Sequence, residues 1–134
     1  MSTLKAANIQ STTTGAPTFK TSAGTEIGQL CKAWVNFNGD NTVAIRDDFN
    51  VDSITDEAAG EYSVVFTNAM SNANYCVTGG ASETVSGAGY RWLGVGSGID
   101  GNFSKTTTSV SVNPAADSST KQDAPHVYVI IFGN

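Results

Sequence analysis

One short segment of the sequence brings aromatic and cationic side chains together, at Gly89-Tyr90-Arg91-Trp92. Aromatic faces stack on sugar rings, and an arginine donates hydrogen bonds to hydroxyl or carboxylate groups. Tyr, Trp and Arg are also the residue types enriched at the centres of protein interfaces. Tyr90, Arg91 and Trp92 are therefore candidates for contact with a ligand or receptor. The ordinary interpretation of the pattern is that Tyr90 and Trp92 share a buried face and Arg91 points to solvent, and a contact between subunits is a further alternative.

Carboxylates between positions 47 and 57 form the strongest charged feature of the sequence. They are Asp47, Asp48, Asp52, Asp56 and Glu57. Paired carboxylates can cleave glycosides or bind calcium. The spacing does not match an EF-hand loop, and acidic residues are common in turns because they hydrogen-bond to nearby backbone groups. We interpret the cluster as turn chemistry, with a cation site formed by Asp47, Asp48 and Asp52 as the alternative.

Few other residues of the sequence offer groups for catalysis. The only histidine, His126, has no second histidine and no cysteine pair at metal-ligand spacing. The glycine-rich segment 94–98 precedes no helix and contains no Lys-Ser/Thr pair, so it does not match a phosphate-binding loop. The sequence therefore predicts a protein that is not an enzyme, with no catalytic residues, no metal and no cofactor.

The overall charge and hydropathy exclude further classes of function. Seven basic and twelve acidic residues give a net charge of −5, and no cluster of Lys or Arg is present. This balance argues against binding to nucleic acid. No apolar run approaches the ~20 residues of a membrane helix, and the first residues lack a secretory signal. We expect synthesis in a cytoplasm, where Cys31 and Cys76 are interpreted as buried small hydrophobes, with a disulfide or a reactive thiol as the alternative.

Strand-like alternation positions these residues from Cys31 onward. Ala33, Val35 and Phe37 alternate with polar or amphipathic neighbours, and Asn38-Gly39 predicts a hairpin turn with positive φ. A long polar loop is expected over 113–125. Further strands are expected at 42–46, 49–54, 61–67, 75–78, Tyr90–Val95, 107–112 and His126–Phe132. The pattern predicts an all-β fold, an antiparallel β-sandwich or barrel-like domain of about 7–8 short strands, over residues 31–134.

Residues 1–30 differ from the rest because they are polar and rich in turn-forming residues. Their apolar residues are too sparse to form a core. We predict an extended attachment arm or linker that becomes ordered against another protein or a neighbouring subunit.

The last predicted strand is apolar on both faces. Val127, Val129 and Ile131 fill one face, and the other carries Tyr128, Ile130 and Phe132. A strand of this kind must be covered on both sides. We therefore predict that Tyr128, Ile130 and Phe132, together with Trp34, pack against another subunit. The alternative is that loops of the same chain cover the second face.

Several segments of the first half carry a family resemblance. They read STLKAANIQ at 2–10, CKAWVNFNG at 31–39, TVAIRDDFNV at 42–51 and GEYSVVF at 60–66. These motifs resemble those of tail-fibre-like virion structural proteins of marine phages, including cyanophages. The resemblance covers about residues 1–10 and 31–77. Many relatives carry a proline before the Ala-Asn-Tyr of 73–75, where this chain has serine and asparagine, which alters a turn.

The resemblance implies a virion protein, most often a tail-fibre or tail-tip component that contributes to attachment to the host. It further implies a homotrimer, docked to other tail or capsid proteins through residues 1–30. Loops around 80–92, 96–105 and 113–125 would then contact a glycan or protein of the host surface. A capsid decoration protein and a soluble carbohydrate-binding module are the alternatives, and no membrane insertion is expected.

Overall fold

The computed structural model describes residues 6, 8–10, 17–82, 90–95, 104–115 and 121–133, with the backbone alone for Tyr90 and Arg91. All regular elements within these ranges are antiparallel β-strands, and none of the described residues is helical. Contacts divide the chain into two compact units, Met1–Leu30 and Cys31–Asn134. The all-β antiparallel fold class predicted from the sequence is confirmed.

The first unit contains a small hairpin. Strand β1, Phe19–Lys20, pairs with β2, Glu26–Gly28. In the turn between them, the backbone N–H of Gly24 donates to the carbonyl oxygen of Thr21 at 2.9 Å. The N–H of Thr25 donates to the Thr21 hydroxyl at 3.1 Å. The sequence predicts an extended arm here and gives no sign of this hairpin, because strands of two and three residues are too short to show a period.

The second unit is one sheet of eight strands in the order β4-β3-β10-β7-β8-β9-β6-β5. The strands are β3 Ala33–Asn38, β4 Ala44–Phe49, β5 Val51–Ala58, β6 Glu61–Phe66, β7 Cys76–Ser82, β8 Tyr90–Val95, β9 Ser109–Ala115 and β10 His126–Phe132. Strands β3 and β6 are far apart in this order, yet the Phe37 and Tyr62 rings meet edge to face at 5.3 Å. The sheet therefore folds over on itself and encloses a core, as in a β-sandwich.

The core comes from alternate residues of the strands, as the period-two pattern predicts. The inward residues of β3, β6 and β10 are buried, whereas their neighbours in the chain are half-buried or exposed. Burying each large apolar side chain contributes about 1.5–3 kcal/mol. The buried set is Ala33, Val35, Phe37, Tyr62, Val64, Phe66, Val127, Val129 and Ile131.

The β3–β4 turn has a different geometry from the one predicted. The residue with positive φ is Asn41, at 55°, and not Gly39. Gly39 is needed for a different reason, since a Cβ there would lie 2.8 Å from Cζ of Tyr62 and 3.0 Å from the carbonyl oxygen of Ala124. Close approach of the Tyr62 ring, which comes from a strand distant in sequence, is not visible in the local pattern.

Strand β9 extends into the segment predicted as a polar loop. Asn113 and Pro114 belong to β9 and are buried. The Asn113 side-chain amide donates to the carbonyl oxygen of Gly60 at 3.4 Å, and the N–H of Gln122 donates to the Pro114 carbonyl at 3.2 Å. The polarity and proline content of this segment favoured a loop, but pairing with β8 and burial overrode local propensity.

Candidate functional site

Strand β10 has two different apolar faces in the structure. Val127, Val129 and Ile131 are at most 1% exposed and belong to the core. Tyr128, Ile130 and Phe132 are 42%, 38% and 41% exposed on the opposite side of the same strand. Because β10 lies between β3 and β7, its outward side chains occupy the middle of a sheet surface and not an edge.

Neighbouring strands extend this surface. Trp34 of β3 is directly opposite Ile130 of β10 and also opposite Phe49 of β4, and Thr78 of β7 is on the other side of Ile130. Directly opposed residues of antiparallel strands project to the same face. Phe49, which is 53% exposed, therefore joins Trp34 on the outside of the sheet. We call Trp34, Phe49, Tyr128, Ile130 and Phe132 the outer apolar face.

A groove with a volume of about 510 Å³ runs along this face. Its lining includes Cys31 and Asn36 together with all four residues predicted to pack between subunits. Those four residues are Trp34, Tyr128, Ile130 and Phe132. The structure thus brings the four together on two adjacent strands, although Trp34 is nearly a hundred positions from the others in the chain.

Phe49 was missed as a member of this face. The sequence analysis placed Phe49 in a segment with Val51 and Ile54, on the assumption that one strand runs through them. In the structure, the strand is instead interrupted at Asn50, whose φ is 58°. Phe49 therefore ends β4, and Val51 starts β5. An asparagine between two apolar residues was the available signal, since asparagine tolerates positive φ better than most residues.

The row of opposed residues that contains Tyr128 includes a glycine and therefore lacks a side chain at one position. Tyr128 is opposite Asn36 on one side and Gly80 on the other. A Cβ at Gly80 would have no heavy atom within 4 Å, so the surface there is open. On the same strand as Tyr128, the His126 ring is stacked parallel to the tyrosine ring, with centroids 6.5 Å apart. His126 is half-buried at the start of β10.

Trp92 is the most exposed large hydrophobic side chain among the described residues, at 72%. The interpretation that Trp92 lies on a buried face is therefore wrong. Arg91 is opposite Ala81, and Tyr90 is opposite Ser82. Continuing this register by one residue places Trp92 beside Gly80. The side chains of Tyr90 and Arg91, and most of the predicted contact loops at 80–92, 96–105 and 113–125, lie outside the described residues.

The acidic residues lie at the two ends of the sheet order. Asp47 and Asp48 belong to β4, and Asp52, Asp56 and Glu57 belong to β5. Charges on outermost strands discourage pairing with the edges of other sheets.

Asp47 and Asp48 also shape the corner between β4 and β5. Asp47 Oδ1 accepts a hydrogen bond from the N–H of Asp48 at 3.0 Å, and Asp48 Oδ2 accepts one from the N–H of Val51 at 3.3 Å. This is the backbone role expected of acidic turn residues. The turn interpretation is wrong for Asp52, Asp56 and Glu57, which lie within β5 because pairing with β6 extends that strand to Ala58. In the described part of the chain, no group of three or more His, Cys, Asp or Glu side chains is placed to hold a metal ion.

Both cysteines are free thiols in the structure, and the prediction that they are buried is wrong. Cys31 is half-buried, with Sγ 3.1 Å from the carbonyl oxygen of Ala33, and Cys76 is exposed. Cys76 is opposite Phe132 in the β7–β10 pair. Thus Cys31 lines the groove and Cys76 borders the outer apolar face at its Phe132 end.

Two buried tyrosines hold distant segments together. The Tyr62 hydroxyl donates to the carbonyl oxygen of Gly39 at 2.5 Å and lies 2.8 Å from Oδ1 of Asp123. Burial, with a smaller effect of Asp123, raises the pKa of Tyr62 far above its usual value. Burial also raises the pKa of Tyr75 to about 12. These pKa shifts oppose ionisation, so both hydroxyls act as structural donors at ordinary pH.

The contacts of Tyr75 also hold distant segments of the chain together. The Tyr75 hydroxyl is 2.9 Å from the carbonyl oxygen of Thr106 and 3.0 Å from that of Ser109. The ammonium group of Lys105 lies over the tyrosine ring, 4.7 Å from its centre. These contacts fix the segment that leads into β9 against the start of β7.

No protein-family model, curated protein or solved structure matches the chain. Among the described residues, there is no helix with the length and hydrophobicity needed to cross a membrane.

Proposed function

We propose that this chain is a non-enzymatic structural module of a bacteriophage particle, a tail-fibre or tail-tip component that contributes to host attachment and works as a homotrimer. The observation that carries the proposal is the two-sided character of β10. One side of the strand completes the core, and the other, with Trp34, lines an exposed groove. Contiguous apolar surfaces of this kind mark sites of protein contact.

The chemistry of the groove favours a protein partner. Trp, Tyr and Phe are enriched in the centres of protein interfaces, and charged residues are depleted there. Trp34, Tyr128 and Phe132 follow this composition, and the lining formed by the described residues contains the neutral Asn36 and no charged residue. The rigid sheet holds these side chains without a further ordering cost, which favours specific contact.

The assignment to a phage particle rests on the motifs of the first half. Two motif residues, Trp34 and Phe49, lie on the outer apolar face. In the motif at 31–39, the residues that alternate with Trp34, such as Val35 and Phe37, lie in the core. The motifs that resemble tail-fibre-like proteins therefore supply both a core strand and part of the contact surface. Residues 1–30 would join the module to other tail or capsid proteins.

Immunogold labelling of purified virions from the phage that encodes this chain tests the proposal. Label at the tail tip or fibres is the expected result, and preimmune serum on the same grids is the control. Label over the capsid would contradict the tail assignment and make the chain a decoration protein. Virions that carry no label would contradict a structural role in the particle altogether.

A carbohydrate-binding module is the second candidate, because Trp92 is 72% exposed on the outside of β8. In the continued register, Trp92 and Tyr128 lie on either side of Gly80, at which the surface is open. Strands two apart in a sheet are separated by about 9.6 Å, and flat sugar rings stack on such exposed aromatic faces. A glycan array tests this candidate. Binding that Trp92→Ala abolishes and Phe49→Ala leaves intact would support it, and an array without binding would contradict it.

A further inference from the structure

We infer that a second copy of this chain covers the outer apolar face. The inference rests on the proposed function, since it names the partner of the contact surface described there. Three properties of the face favour a copy of the chain over a different protein: its charge, its area and its position in the sheet.

Charge is the first property. The chain has a net charge of −5, so two copies repel each other unless their contact surfaces are free of like charges. The outward positions of β3, β7 and β10 carry no Lys, Arg, Asp or Glu. These positions are Trp34, Asn36, Asn38, Cys76, Thr78, Gly80, Ser82, His126, Tyr128, Ile130 and Phe132. A neutral surface is compatible with the same surface of another copy, in a dimer or around the three-fold axis of a trimer.

The charged residues of this region lie at its border. Lys32 precedes β3, Asp47 of β4 is opposite Asn36, and the Arg46 guanidinium donates to Oδ1 of Asn36 at 3.4 Å. An uncharged centre with a charged border is the arrangement that protein interfaces show. A face with acidic residues at its centre would instead favour a different protein with a positively charged surface.

The second property is area. Phe49, Tyr128, Phe132 and Ile130 are between 38% and 53% exposed. At about 150–250 Å² for each large side chain, the outer apolar face exposes on the order of 400 Å². A stable interface buries about 800 Å² on each partner, of which about 56–65% is apolar. The face thus provides most of the apolar area that one partner contributes to an interface of standard size.

The third property is position. Four of the five residues of the face lie on β3 and β10, in the interior of the sheet order, and Phe49 ends the neighbouring β4, so two copies can pack sheet on sheet at a spacing of about 10 Å. Such packing leaves the backbone hydrogen bonds of both sheets intact. It also leaves the acidic strands β4 and β5 at the two ends of the order, where their charges disfavour edge-to-edge pairing.

The test uses two matched isoleucine variants of the full chain. Ile130→Asp places a charge in the centre of the face, whereas Ile27→Asp makes the same change on β2, where the isoleucine is 67% exposed. Light scattering coupled to size-exclusion chromatography over a dilution series gives the mass. We expect an oligomer of two or three copies for the unmodified chain and for Ile27→Asp. For Ile130→Asp, the concentration at half assembly should rise by about 30-fold or more.

Alkylation of the native Cys76 provides a readout that needs no variant. Cys76 is an exposed free thiol opposite Phe132, so a second copy on the face should shield it. We expect iodoacetamide to modify Cys76 about tenfold more slowly in the concentrated chain than in the diluted chain, since reactivity follows access. Circular dichroism of Ile130→Asp checks that the variant remains folded.

Three results would overturn the inference. They are a monomeric unmodified chain at every concentration, an Ile130→Asp variant that is folded and assembles normally, and a rate of Cys76 alkylation that does not depend on concentration. A monomer in solution whose antibodies still label the tail would overturn the inference and the homotrimeric state, leave the tail location of the proposed function standing and assign the face to another virion protein. An unmodified chain that forms an oligomer, with antibodies that label no virion, would support the inference and contradict the proposed function.

Discussion

Replacing Gly39 by alanine tests whether the close approach of Tyr62 organises the β3–β4 turn. The new Cβ would lie 2.8 Å from both Cζ and the hydroxyl oxygen of Tyr62, and 3.0 Å from the backbone oxygen of Ala124. The tyrosine cannot swing away cheaply, because its ring packs edge to face on Phe37 at 5.3 Å. Its hydroxyl is also held between the Gly39 carbonyl oxygen and Asp123.

The expected change in the free energy of unfolding combines two costs and one smaller gain. Overpacking a core by one methyl group costs about 1–3 kcal/mol, and a strained or lost hydrogen bond between Tyr62 and Gly39 adds about 1 kcal/mol. The lower entropy of the unfolded alanine chain returns about 0.4–1 kcal/mol. We therefore expect Gly39→Ala to lower the free energy of unfolding by about 1–3.6 kcal/mol.

Urea unfolding followed by circular dichroism, at one fixed protein concentration, measures the change. Gly80→Ala is the matched control, because a Cβ at Gly80 meets no heavy atom within 4 Å. The control should remain within about 0.5 kcal/mol of the unmodified chain or become slightly more stable. A Gly39→Ala variant as stable as the Gly80→Ala control would refute the steric reasoning.

Two further predictions concern pH and the edge strands. Burial raises the pKa of Tyr75 to about 12 and that of Tyr62 further. The unfolded chain therefore loses these protons first, and stability should be fully present below pH ~10 and fall above it by about 1.4 kcal/mol per pH unit for each tyrosine. Urea unfolding between neutral pH and pH ~11.5 measures this slope, which Tyr75→Phe should roughly halve. Neutralising the edge strand with Asp52→Asn and Asp56→Asn should speed aggregation, measured by light scattering, because the exposed edge of β5 loses its charges.

Each of these predictions has a clear contrary outcome. A slope unchanged by Tyr75→Phe would mean that other groups control alkaline unfolding. For the edge strand, Glu26→Gln combined with Asp40→Asn removes the same number of charges from residues outside β4 and β5. If this control aggregates as fast as the edge variant, net charge is the cause and the position of the carboxylates is irrelevant.

The polar and apolar pattern of the chain was sufficient to predict the core strands. The alternation at 33–37 and 61–67 and the two-sided pattern of His126–Phe132 depend only on the geometry of one strand, in which successive side chains project to opposite faces. For the same reason, the four packing candidates Trp34, Tyr128, Ile130 and Phe132 could be named before their contacts were known. Their assignment to a subunit interface stays a prediction.

Errors arose where long-range contacts overrode the local signal. Asn113 and Pro114 were expected in a loop, but their pairing with β8 draws them into a strand. Cys76 was expected in the core because free cysteine behaves as a small hydrophobe. The register with Phe132 places Cys76 on the outer side of β7 instead. Neither outcome can be derived from residues adjacent in the chain.

The sequence by itself therefore determined the strand class, most strand positions and which residues of β10 share a face, because these properties repeat within a few residues. Only the tertiary structure decided that Phe49, Trp34, Ile130 and Thr78 form one row, since strand order and register join residues from four separate segments. It also decided that Gly39 is needed for contact with Tyr62. The physical reason is that alternation is a property of a single strand, whereas a surface is formed by the pairing of strands that are distant in the chain.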